Sequence, residues 1–128
     1  MKKELIFNTD LHFEHENWNR ELLFWEDELT SFQNRLDELV VRWTAKEVLA
    51  EVEKFQNHII VHREAIVSIK NQIELHETNM ADHYKKDEDV LNKDLVSKHE
   101  LPRYKIEIQR NLFNEFKGNF FRFLTKYL

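Results

Sequence analysis

The sequence predicts an all-α fold: an elongated, antiparallel, up-down-up bundle of three helices with coiled-coil-like heptad seams. Three observations predict it. The 128 residues contain one glycine and one proline. Sheets need turn residues every few positions, so a chain with so few breakers is built from few, long helices. Two long stretches also carry their apolar residues at alternating steps of four and three, which is the spacing of one helix face. Between them lies a helix-starting sequence that leaves room only for a tight turn. The length fits a single domain, residues 1–128, with a sizeable core.

The first helix is expected over about residues 9–43, with a cap among Asn8, Thr9 and Asp10. Its seam is Leu11, His15, Trp18, Leu22, Trp25, Leu29, Phe32, Leu36, Leu39 and Trp43. Rings as large as Trp18, Trp25 and Phe32 suit the wide core of a bundle better than a two-stranded seam. Thr44-Ala45-Lys46-Glu47 reads as a capping box, with Trp43 and Val48 as its flanking hydrophobic pair. Helices joined this tightly lie antiparallel.

The second helix is expected over about residues 45–84. Its seam runs Val48, Val52, Phe55, Ile59, His62, Ile66, Ile69, Ile73, His76, Met80 and His83. Three histidines thus stand where a seam wants aliphatics. His62 falls opposite Trp25, where stacking on indole would hold it neutral. The polar run Lys85–Asp89 is the second turn. The third helix is expected over about 97–127, started by a second capping box, Ser97 to Glu100, with a short helix over 88–96 as an optional lead-in; a single helix from Asp87 that kinks at Pro102 is the alternative. Pro102 fits near a helix start, where few amides have partners.

The formal charge is −5, against nucleic acid as the main partner. The basic excess of residues 101–128 is that of a basic helix packed beside acidic ones. There is no cysteine, which excludes disulfides and thiolate-bound metal. No signal-like opening and no apolar run of spanning length is present, so a cytoplasmic protein is expected. A phosphate cradle needs glycines and a serine nucleophile needs an activating base; neither is in the sequence, and no enzyme is expected.

Two stretches remain as candidate sites. An antiparallel hairpin centred near residue 44 gathers His12, His15, His76, His83 and His99 at one end of the bundle, with Asp10, Glu14, Glu77 and Glu100 beside them. Imidazole and carboxylate there suit a transition metal such as Zn, Fe, Mn, Ni or Cu. His76 and His83 are ~10 Å apart along the helix, too far to share one ion. The Glu-x-x-His pattern of di-iron bundles is absent, since no histidine has an acid three residues before it. The second stretch is the aromatic end of helix 3, with Phe113, Phe116, Phe120, Phe121, Phe123, Leu124 and Tyr127 around about half the helix circumference. Such a face reads first as ordinary core; where it is wider than three helices can bury, self-association as a homodimer or a partner helix comes before docking on a membrane surface. The leading expectation is a non-catalytic structural or interaction module that self-associates. The alternative is a metal-binding or storage bundle.

Overall fold

A computed structural model describes the backbone of residues 8–84 and 93–127, and the side chains of 10–81 and 99–127. It contains three helices: α1 (Asn8–Arg42), α2 (Lys46–Tyr84) and α3 (Lys93–Tyr127). Cross-helix pairs set their directions. Lys70 bonds Glu26 and Arg63 bonds Thr30, so α2 runs against α1. Arg103 bonds Glu14 and Arg110 bonds Glu21, both 89 residues apart, so α3 runs parallel to α1. The result is the up-down-up bundle of three helices. None of the described helices is long and apolar enough to cross a membrane.

The heptad seams form the core. Every α1 seam residue from Leu11 to Leu39 is buried, and so is every α2 seam residue from Val48 to Met80 except His62, which is half-buried. An apolar spine runs from Trp18 at one end to Leu124 at the other. Such burial outweighs propensity in fixing where long helices form.

The turn between α1 and α2 differs in detail from the expected capping box. The first bond of α2 runs from the Leu49 amide to the Ala45 carbonyl at 3.1 Å, which puts the cap at Ala45, one residue beyond Thr44. Trp43 reaches α3. Its indole N–H donates to the Tyr127 carbonyl at 3.2 Å, and its ring meets Tyr127 edge-on at 5.5 Å. A terminal carbonyl of α3, with no partner within its own helix, is thereby satisfied across the bundle.

α3 also starts differently. It is already helical at Lys93, so Ser97 lies inside it and not at a cap, and 88–92 lie outside the described residues. Pro102 sits within the helix and is buried. Lacking an amide, it leaves the Lys98 carbonyl without its usual donor, at a cost of about 3 kcal/mol in an ordinary helix interior. Burial of the proline ring offsets part of that cost.

The charge asymmetry between the ends of the chain has a structural purpose. Glu14, Glu21 and Glu28 on α1 pair with Arg103, Arg110 and Lys117 on α3 at 2.7, 2.7 and 2.8 Å. Both sets recur every seven residues, so one register satisfies all three pairs. The two arginines bind in forked geometry, which holds direction as well as distance.

The aromatic end of α3 is mostly consumed by the chain itself. Phe113, Phe116, Phe120, Phe123 and Leu124 are buried, stacked against Phe32 of α1 and Phe55 of α2. Tyr127 is half-buried, and Phe121 is exposed at 47%. The face is wide because α1 and α2 both pack on it. Gly118 marks no close helix approach: a methyl group there would meet only the Arg122 guanidinium, at 3.6 Å.

Candidate metal centre

One histidine from each helix enters the core at the end opposite the α1–α2 turn. His15, His76 and His99 occupy seam positions of α1, α2 and α3, and all three are buried. Their ring centroids lie 5.2, 4.8 and 5.1 Å apart, and one nitrogen of each falls within 4.8 Å of the others. Trp18, one turn along α1 from His15, stacks on His99 at 5.0 Å and closes the site on the side of the apolar core.

Carboxylates orient two of these rings from outside. Glu77 receives the Nδ1–H of His15 on one oxygen and that of His12 on the other. Glu14 receives the Nε2–H of His99 at 2.7 Å and is itself gripped by Arg103 at 2.7 and 3.1 Å. Burial pushes both carboxyls up. The hydrogen bonds from Arg103 and His99 on Glu14, and from His15 and His12 on Glu77, outweigh it and hold both below the usual 4.5. Both are therefore anions at neutral pH and can only accept.

That fixes the tautomers. His15 must carry its proton on Nδ1 and His99 on Nε2. The remaining nitrogens, His15 Nε2 and His99 Nδ1, face each other at 3.1 Å. In two neutral rings this sets lone pair against lone pair. A cation between them removes the conflict: a shared proton or a metal ion. Burial foremost holds the pKa of His99 below its ordinary 6.5, against the pull of Glu14.

The geometry fits a metal. Nitrogens bound at ~2.1 Å to a tetrahedral ion lie roughly 3.4 Å from one another. The His15–His99 pair is already close to that spacing, and a contraction of up to about 1.4 Å brings in His76. Outer carboxylates that hold a ligand's second nitrogen are what metal-binding histidines ordinarily have.

Of the five histidines expected to gather here, three meet. His12 is exposed and reaches the site only through Glu77, with its other nitrogen 3.0 Å from Glu16. The hydrogen bond to Glu77 is the main cause that raises its pKa above 6.5. The side chain of His83 lies outside the described residues. Asp10 and Glu100 are exposed and take no part in these bonds, whereas Glu14 and Glu77 do. Arg103 and Trp18 escaped the sequence reading. The available signal was spacing: Arg103 is one turn beyond His99, and Trp18 one turn beyond His15.

His62 belongs to a different environment. It packs on Phe113 and Phe116 of α3, at 5.6 and 4.8 Å, and not on Trp25. Its Nδ1 accepts from the Gln109 amide at 2.7 Å. Burial, and to a smaller extent His58 nearby, hold its pKa below 6.5.

No family model matches the chain, and no curated protein or solved structure matches it either.

Proposed function

We propose that the chain is a transition-metal-binding helical bundle that holds one ion through His15, His76 and His99. The observation that carries this reading is the pair of inner nitrogens of His15 and His99. They face each other at 3.1 Å while Glu77 and Glu14 take the outer ones. Three imidazoles arriving from three helices approach from three directions. That arrangement suits tetrahedral Zn²⁺, with one position left over, better than the square-planar preference of Cu²⁺ or Ni²⁺.

The test is a Zn²⁺ titration of untagged protein by calorimetry, followed by Co²⁺ substitution to read the geometry in the visible spectrum. One ion per chain and a tetrahedral Co²⁺ spectrum are expected. His76→Ala should abolish binding. Glu77→Gln, which leaves all three ligands in place, should weaken it by ~10–100-fold. His58→Ala, on an exposed position far along α2, should leave it unchanged. Absence of stoichiometric binding, or equal weakening by His58→Ala, would discard the reading.

A further inference from the structure

Three imidazoles buried in a bundle core can take up an ion only through an opening. Trp18 closes the triad toward the apolar core, and the forked Glu14–Arg103 pair lies across its α1–α3 side. The α1–α2 side is built otherwise. There a hollow of about 400 Å³ reaches His15, which is itself only 2% exposed. His12, Glu16, Lys70, Glu74 and Glu77 share its walls.

These walls favour a divalent cation. Three carboxylates stand there against one ammonium, and Lys70 is already bonded to Glu26 at 2.6 Å. A concave surface lined by one sign of charge concentrates the opposite ion and speeds its arrival. His12 and Glu16 stand one helical turn apart on α1, both exposed, with the His12 Nε2 3.0 Å from the Glu16 carboxylate. An imidazole nitrogen and a carboxylate oxygen at that spacing can share one ion, with water completing its shell. Two protein ligands hold it loosely, so it is free to move on. Glu77 supplies the step inward, because its two oxygens accept from exposed His12 and from buried His15. One carboxylate thus spans the distance from rim to triad.

We infer that the α1–α2 hollow is the entry path of the metal, with the His12–Glu16 pair as its loading point and Glu77 as the relay to His15. This rests on the triad being a metal site. It gives His12 and Glu16 a part in how fast the ion arrives and leaves, and none in how tightly it is finally held.

Stopped-flow mixing with Co²⁺, read by the visible band of the bound ion, gives the rates of uptake and release; an equilibrium titration with Co²⁺ gives the affinity. Glu16→Gln keeps the size of the side chain and touches neither the triad nor Glu77. With one of three carboxylates lost, it should slow uptake by ~3–10-fold and release by the same factor, leaving the affinity unchanged. Glu64→Gln, an equal loss of charge on an exposed position ~20 Å along α2 from Glu77, should alter neither rate. Uptake at the wild-type rate in Glu16→Gln, or equal slowing by Glu64→Gln, would overturn the entry path and leave the triad standing. So would an affinity that falls in step with the uptake rate, since Glu16 would then be holding the bound ion. A wild type that binds no Co²⁺ at equilibrium would overturn both the path and the metal site.

Discussion

Replacing Phe113 with alanine tests whether the aromatic end of α3 is core or contact surface. Phe113 is fully buried. Its ring lies 5.4 Å from Trp25, 6.4 Å from Phe32, 5.6 Å from His62 and 6.3 Å from Phe116. Truncating a buried phenylalanine costs about 3–5 kcal/mol, the transfer free energy plus the cavity left behind. Aromatic neighbours on all sides place this one in the upper half of that range. In a chain of this size about 1 kcal/mol shifts Tm by roughly 3–5 °C, so Phe113→Ala should melt ~12–25 °C lower. Phe121 provides the contrast. It is 47% exposed and meets Phe32 edge-on at 5.6 Å. Phe121→Ala should cost about 1 kcal/mol. Urea unfolding followed by far-ultraviolet circular dichroism, at one protein concentration, compares the two. Equal costs, or a loss below about 1 kcal/mol for Phe113→Ala, would refute the assignment of this face to the core.

Two further outcomes follow from the geometry. His62 is held below its ordinary 6.5 in the folded state, so the unfolded chain takes up protons first as pH falls. The stability that its neutral form contributes is full above 6.5 and is lost as pH drops through that value toward the folded one. His12, raised by its bond to Glu77, acts in the opposite sense: its contribution is present below 6.5 and fades as pH rises through its raised value. His62→Gln keeps an acceptor for Gln109 but does not titrate. Its urea midpoint should fall less than that of the wild type between about pH 7.5 and about pH 5.5, and an identical fall would contradict the assignment. Gly118→Ala should stabilise the bundle by about 0.5–1 kcal/mol, because the helix gains and only the flexible Arg122 is touched. A lower melting temperature for that variant would show that the glycine is required.

The fold was legible wherever periodicity carried it. The seams of α1 and α2 name their buried residues almost one for one, because a helix in a bundle has a single way to hide an apolar stripe. The start of α3 was less so. Ser97 has the right side chain for a cap, but the helix already runs from Lys93, four residues before it, so the local capping signal does not mark the start. The aromatic face was overcounted for a similar reason. A width that looks excessive against one helix is ordinary against two, and the sequence does not say how many neighbours share it. At the histidine end, the turn register brought the right region together. Which histidines meet depends on rotation about each helix axis: His12 and His15 are three residues apart, yet one is exposed and the other buried.

The Trp43–Tyr127 contact acquires another meaning beside the histidine centre. It fastens the end of the bundle at the α1–α2 turn with rings and one hydrogen bond. At the opposite end the helices meet through imidazoles and carboxylates, so the two ends of the bundle are closed by different chemistry. Between them the three rungs joining α1 and α3 share one register, so no rung can slip along the bundle without the other two.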